Sequence, residues 1–309
     1  MGPMVTRLAH AVARHACEGR VATPIANLGL LKVSRKTDLP PEIYRPVVSL
    51  IVQGEKQLAI GAQVLTYRAG DTFTTSLDLP VSARITTASP ERPYLAISFA
   101  IDAGLLGDIL MNMPDPAEPL PEKGFAVDQA GSELLDVYGR ALFLLDRAED
   151  APIMAPLLER ELVYRLLKGP QGAALRRLVS GTRAVAGVRK AIERIRQGYK
   201  EPFSVEEIAK VAGMSASAFH RQFRASTGMT PLQYQKTLRL YEARRLLVTQ
   251  AVTVASAAFS VGYQSVSQFT REYRRMFAAP PGRDTRPGHR LDHATMATAA
   301  ATEPRNQVS

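Results

Sequence analysis

The chain has 309 residues, 46% of them hydrophobic, and a formal net charge of +10. That length predicts about two domains of roughly 100–200 residues each, and no apolar run approaches the roughly 18–20 residues of a membrane helix, the best being VVSLIV at 47–52. A single cysteine, Cys17, excludes an intrachain disulfide and a cysteine-rich zinc cluster; with no apolar leader in the first thirty residues, a reducing, cytoplasmic setting is expected and a membrane is not.

Residues 1–20 form an arm with no strong period, compatible with a short helix. From about 21 to 100 the texture is β. PVVSLIVQG ends at Gly54, KQLAIGAQVLTY reads as two strands hinged at Gly61, RAGDTF places a turn at Gly70 and Asp71, and VSARITTAS and PYLAISFAI follow. Short strands punctuated by Gly, Pro and Asp predict a sandwich or small barrel. After Ile101 the period becomes helical: IDAGLLGDILMNM, then a Pro-rich loop at 114–121, then two longer stripes at 131–148 and 152–169. QGAALRRLVSG reads as a connector, residues from about 183 as helix and turn only, and the tail 286–309 as disordered.

Charge is uneven along this plan. Residues 181–290 hold 19 Lys and Arg against 7 Asp and Glu, whereas the rest hold 20 against 22. A basic C-terminal third on a near-neutral remainder points to a polyanion-binding module, although a solvated basic face would look the same.

Within that third the chain repeats itself: SAFHRQFR at 217–224 and SQFTREYR at 267–274. Ser204 with Glu207 makes a capping box for VEEIAKVA, and Ser215 can cap the next helix; Thr253 and Ser265 do the same in the second copy. Ala209 and Gly213 are matched by Ala258 and Gly262, and the second turn is one residue longer. Each copy is therefore a helix, a short turn and a helix. Phe219 and Phe223, matched by Phe269 and Tyr273, are i,i+4 anchors for a core. Ser217, His220, Arg221 and Arg224, matched by Ser267, Thr270, Arg271 and Arg274, form a polar cationic stripe that suits the major groove of DNA. A lone stripe would read as a solvated face; recurrence at one offset favours a recognition device. Between the copies, Thr230 and Pro231 start a helix at 231–248, roughly 27 Å long, against a spacing of about 34 Å between adjacent major-groove segments on one face of DNA.

The stretch 204–281, with SVEEIAKVAGMSASAFHRQFRASTGMTP, LRLYEARRLL and VGYQSVSQFTREYRRMF, resembles the DNA-binding domain of AraC/XylS-type transcription regulators. It departs at FAAPPGRD, where Ala278 replaces the usual Gly and puts the last short helix in question. The segment from YRPVVSLIVQG to PYLAISFAID resembles the cupin-like N-terminal domain of one branch of that family. The resemblance implies an α+β two-domain fold: an arm (1–20), a cupin-like β-barrel or sandwich with flanking helices for sensing and dimerisation (21–180), an all-α tandem helix-turn-helix domain (181–285) and the tail (286–309). It implies double-stranded DNA and RNA polymerase as partners, a small-molecule effector, a homodimer, no cofactor and no catalysis.

Carried over from the family, base-reading residues are Ser217, His220 and Arg221 on the first reader helix and Ser267, Gln268, Thr270 and Arg271 on the second; Arg224, Lys236 and Arg274 are assigned to phosphates, which position without specifying. Arg239, Arg244 and Arg245 stay open between DNA and protein partners such as Glu242 or Glu207. Leu50, Val52, Phe73, Ile85 and Phe99 either line a barrel pocket or pack its core. Three rivals remain. A metal-dependent or metal-independent cupin enzyme lacks ligands, since the histidines are at 10, 15, 220, 289 and 293 and none falls in the barrel, leaving only carboxylates such as Glu55 and Asp71. Methyl transfer to Cys17, with His15 nearby, lacks a second cysteine. A ligand-independent structural DNA binder leaves the β domain without a purpose.

Overall fold

The computed structural model describes residues 2–114, 123–179, 183–250 and 252–284. The tail expected to be disordered, and most of the Pro-rich loop, lie outside the described residues.

The arm is largely a helix, α1 (Pro3–His15), begun by a proline that needs no N–H at that position and buried along Val5, Leu8, Ala9 and Val12. Ten strands follow: β1 (Gly19–Ala22), β2 (Leu28–Val33), β3 (Thr37–Tyr44), β4 (Val47–Gln53), β5 (Glu55–Ile60), β6 (Gln63–Arg68), β7 (Asp71–Thr75), β8 (Leu79–Thr87), β9 (Tyr94–Ala100) and, after α2 (Ala103–Leu110), β10 (Phe125–Gln129). They pair antiparallel into a six-stranded sheet, β1-β2-β9-β4-β7-β10, and a four-stranded sheet, β3-β8-β5-β6. The β5–β6 hairpin turns at Gly61, whose φ of 60° suits the first position of a two-residue type II′ loop.

Two cores result from the two faces of the six-stranded sheet. Its inner face meets the four-stranded sheet over Ile51, Leu58, Tyr67, Phe73, Ile85 and Tyr94. Its outer face carries Leu30, Val48, Leu50, Val52, Ile97 and Phe99 against α1, α2, α3 (Ser132–Leu144) and α4 (Ala151–Lys168). Leu50, Val52, Phe73, Ile85 and Phe99 all pack in a core, Phe73 and Ile85 between the sheets and Leu50, Val52 and Phe99 against the helices. β4 is buried on both faces, so its run of apolar residues has no alternation from which a face could be read.

The connector at 170–180 contains a short helix, α5 (Gly172–Arg176). Then come α6 (Arg183–Gln197), α7 (Val205–Val211), α8 (Ala216–Thr227), α9 (Pro231–Thr249), α10 (Val254–Ser260), α11 (Val266–Phe277) and α12 (Pro281–Asp284). Helix α9 buries residues on every side, among them Tyr234, Leu238, Leu240, Tyr241 and Leu247, because it is the axle between two units. The last short helix forms in spite of Ala278, which takes up the left-handed cap conformation itself at φ 54°.

Candidate nucleic-acid interface

The two copies of the repeat fold alike to the level of single hydrogen bonds. Ser204 accepts from the Glu207 backbone while the Glu207 side chain returns to Ser204, closing the capping box of α7; Thr253 accepts from Ser256 N at the start of α10. Each first helix ends with the same pair of backbone bonds, Gly213 N to Lys210 O and Met214 N to Ala209 O in one, Gly262 N to Phe259 O and Tyr263 N to Ala258 O in the other. Both glycines have positive φ, 67° and 89°. Ala209 and Ala258 are buried at the crossing, where a larger side chain would part the helices. Ser215 and Ser265 then cap α8 and α11.

The anchors point inward. Phe219, Phe223, Phe269 and Tyr273 are fully buried, and each pair stacks with ring centroids 5.4 Å apart. The opposite face of α8 exposes Ser217, His220, Arg221 and Arg224; that of α11 exposes Ser267, Gln268, Arg271 and Arg274, with Thr270 half-buried. Arg221, Arg224, Arg271 and Arg274 make no hydrogen bond or ion pair to any described residue. Four guanidiniums held on capped helices and left to solvent keep their full donor capacity for an external anion.

Lys236 and the arginines of α9, by contrast, are spent within the protein. Lys236 on α9 is bound to Glu272 on α11 at 2.9 Å, and the same carboxylate accepts from Tyr263 Oη at 2.8 Å and from Gln268 Nε2 at 3.3 Å. Burial pushes the Glu272 carboxyl up, but these three donors outweigh it and hold it below its usual range. Arg239 donates to three backbone carbonyls, Tyr199 O at 2.7 Å, Lys200 O at 2.8 Å and Gly262 O at 3.0 Å, tying α9 to the turn of the second unit. Arg244 pairs with buried Asp284, which also accepts from Tyr273, and Arg245 pairs with Glu242 at 2.7 Å. Glu207 takes no part in these pairs, being committed to its cap. The Arg239 clamp had no sequence signal, because backbone carbonyls leave no trace in side-chain patterns.

Among the described residues, no three His, Cys, Asp or Glu side chains are grouped so as to hold a metal ion, and no helix is long and apolar enough to cross a membrane.

A two-sheet β domain with helices on one face, followed by paired helix-turn-helix units on a common axle, defines a class: two-domain regulators of the AraC type. Residues 24–174 match the family described as AraC-type transcriptional regulator N-terminus, and residues 208–286 match a helix-turn-helix domain family. The chain belongs to the AraC/XylS family of transcription regulators. It is 28% identical over 142 residues to the virulence regulon transcriptional activator VirF of Yersinia enterocolitica, covering 45% of this chain and 51% of that one. It is 30% identical over 148 residues to the transcriptional activator RhaS of Salmonella schwarzengrund, covering 47% and 51%. The chain thus spans about half the length of the curated relatives it matches. Its fold is similar to that of fatty acid-bound ToxT of Vibrio cholerae, with a TM-score of 0.53 at 11% identity over 83% of this chain and 92% of that one.

Proposed function

We propose that the protein is a sequence-specific DNA-binding regulator of transcription whose C-terminal half, 181–285, reads two successive major-groove segments and whose β domain, 21–180, answers to a small molecule. The observation that carries this reading is the pair of equivalent solvent-facing stripes on α8 and α11, each with two arginines free of protein partners. At 19 residues, α9 is about 28 Å long, the right order to hold two readers about one helical turn of DNA apart. Ser217, His220, Arg221, Ser267, Gln268, Thr270 and Arg271 are the proposed base readers, with Arg224 and Arg274 on phosphates; Lys236 joins them by exchanging Glu272 for phosphate.

VirF and RhaS are described as activators, which favours activation with RNA polymerase as partner, and the fatty acid in ToxT favours an effector for the β domain. A homodimer is part of the proposal: Ile153, Leu157 and Tyr164 line the outer face of α4 and are exposed, an apolar stripe that a second copy would cover. The setting is the cytoplasm, and the role is regulatory, not catalytic.

Selection of bound fragments from random DNA, followed by footprinting, tests the reading. Protection should extend over two adjacent major-groove segments on one face. Arg271→Ala should relax preference at one base pair, a loss of about 1–3 kcal/mol of discrimination, whereas Arg224→Ala should weaken all sequences alike and flatten the salt dependence. Protection of a single groove, or no binding to any duplex at low salt, would overturn it.

A further inference from the structure

The two reader helices are alike in their anchors and arginines and unlike in the positions between them. Ala218 of α8 becomes Gln268 in α11, Gln222 becomes Glu272, and in the turn before them Met214 becomes Tyr263. The fold brings these three differences together. Glu272 Oε2 accepts from Tyr263 Oη at 2.8 Å, and Glu272 Oε1 accepts both from Lys236 Nζ at 2.9 Å and from Gln268 Nε2 at 3.3 Å. Tyr263 is buried and the Glu272 side chain is only 13% exposed, whereas Gln268 and Lys236 are at the surface. The second unit thus sets a largely buried carboxylate one helical turn behind an exposed amide. The first unit has an amide and a methyl group at the matching positions.

The charge on Glu272 decides which way Gln268 faces. An ionised carboxylate accepts hydrogen bonds and cannot donate, and its three donors keep Glu272 ionised against the burial that opposes it. Gln268 therefore turns its NH2 group, not its oxygen, toward Glu272; the flipped amide would set oxygen against a negative oxygen. One N–H is spent in this way. One N–H and the Oε1 acceptor remain, on an exposed side chain in the first turn of α11. A donor beside an acceptor matches the major-groove edge of adenine, which offers N7 as acceptor and the N6 amino group as donor. Guanine offers two acceptors there and would face Oε1 with another oxygen; cytosine satisfies only Oε1, and thymine only the N–H.

We propose that Glu272 is a positioning residue for base recognition, fixing the Gln268 amide so that the second reader selects adenine at one base pair. This inference rests on the reading of α11 as a groove reader and gives one of its contacts a base identity. Tethering also lowers the cost of recognition, because a glutamine already held by Glu272 has less side-chain freedom left to lose on binding. The same carboxylate opposes binding in general: it is an anion beside the reading surface, and it holds Lys236 away from phosphate. Removing it should raise affinity for any duplex while lowering discrimination, a split that a loss of structure does not produce.

The test uses the full-length chain, its selected duplex, that duplex with each base pair replaced in turn, and an unrelated duplex. Gln268→Ala locates the base pair, where the wild-type chain should favour adenine over guanine about tenfold. Glu272→Ala should reduce that preference to about twofold, bind the unrelated duplex more tightly than wild type does, and leave the other base pairs of the site as they are. Glu272→Gln keeps the shape but can donate to Gln268 Oε1 as well as accept from its N–H, so the preference should fall to about threefold; this variant carries the test if Glu272→Ala does not fold. Lys236→Met and Tyr263→Phe remove the other two donors and should keep the adenine preference. Full adenine preference in both Glu272 variants, a different base at the Gln268 position, or no base pair sensitive to Gln268→Ala would overturn the positioning role and leave the reading of α11 standing. Equal weakening at every base pair in the Glu272 variants would show a structural role only, which also overturns it. A wild-type chain that binds all duplexes alike would sink the groove-reading function itself, and the positioning role with it.

Discussion

In the first helix-turn-helix unit, Phe219, Phe223 and Tyr234 belong to the same apolar core as Leu58, Phe73 and Ile85 inside the β domain. In the second, Phe269 and Tyr273 close a separate core with Leu240, Ala243, Leu247 and Val261. The first unit is also fastened to the β domain by polar contacts. Arg196 of α6 pairs with Asp78, Tyr234 Oη donates to the Asp78 carbonyl at 2.8 Å, Gly124 N donates to Ser226 O at 3.0 Å, and Tyr241 of α9 meets Ser82 at 3.0 Å. The second unit is held through α9, by the Arg239 clamp and the Asp284 node. One motif used twice is thus coupled in two ways. A change inside the β domain reaches the first reader through shared packing, and reaches the second through the axle and through the α6–α7 link at Tyr199 and Lys200.

The sharpest way to break this comparison is at the turn glycines, which look interchangeable in sequence. A Cβ on Gly213 would meet nothing within 4 Å, so Gly213→Ala carries only the left-handed backbone cost of about 1–2 kcal/mol. A Cβ on Gly262 would overlap the carbonyl oxygen of Lys200, the same oxygen that Arg239 binds. Gly262→Ala should therefore cost about 3–5 kcal/mol and expose α10 and α11 to hydrogen exchange while α7 and α8 stay protected. Equal losses in the two variants would show that the units are held alike.

The next effect is of pH and should fall on one side of the comparison. Lys56, buried on β5, titrates near 8 when folded and near 10.4 when unfolded. Below pH 8 it is charged in both states and the folded state bears the full burial cost; as pH rises past 8 the folded state sheds the proton first, and the cost is gone above the unfolded value. Relative to Lys56→Met, the wild-type chain should gain on the order of 3 kcal/mol between pH 7.5 and 10.5. Exchange protection should follow in the β domain and the first unit but not in α10 and α11. A difference that is flat with pH would place Lys56 in contact with water.

A smaller effect, about 2 kcal/mol, is expected for Arg196→Ala. Burial already pushes the Asp78 carboxyl up and Arg196 pulls it back, so the variant leaves a half-buried carboxylate without its main counter-charge. Protection of α6 to α8 should drop and that of α11 should not. Loss spread evenly over both units would mean that the ion pair stabilises the whole helical half rather than its docking.

How much of this was legible depended on how local the cause was. Caps at Ser204, Ser215, Thr230, Thr253 and Ser265 are each set by a side chain and a backbone N–H three residues on, and all five form where the pattern puts them. The β5–β6 hairpin was equally readable, from Gly61. Residues 19–44 read only as β texture, because β1 to β3 show no clean alternation, and β10 follows a stretch where composition is dominated by proline. The exposed stripes on α8 and α11 follow from helical spacing alone. The buried surroundings of Lys56 do not, since its ladder neighbour Tyr67 meets Ser49 and Tyr94 of the other sheet only once the two are stacked. Nor does the docking of the first unit: Asp78 and Arg196 are 118 positions apart.

The smallest prediction concerns the ends of the two reader helices. Helix α8 stops at Gly228, with φ 74°, and α11 stops at Ala278, with φ 54°; both caps are left-handed, but only one is glycine. An L-residue pays about 1 kcal/mol for that conformation. Ala278→Gly should therefore stabilise the second unit by up to about 1 kcal/mol, less the added freedom of glycine in the unfolded chain, and should tighten α12, which presents Asp284 to Arg244 and Tyr273. Denaturant midpoints with slower exchange at α12 would measure the gain. A loss of stability instead would mean that the alanine methyl packs favourably at this cap, and that the two helix ends differ in surroundings as the two cores do.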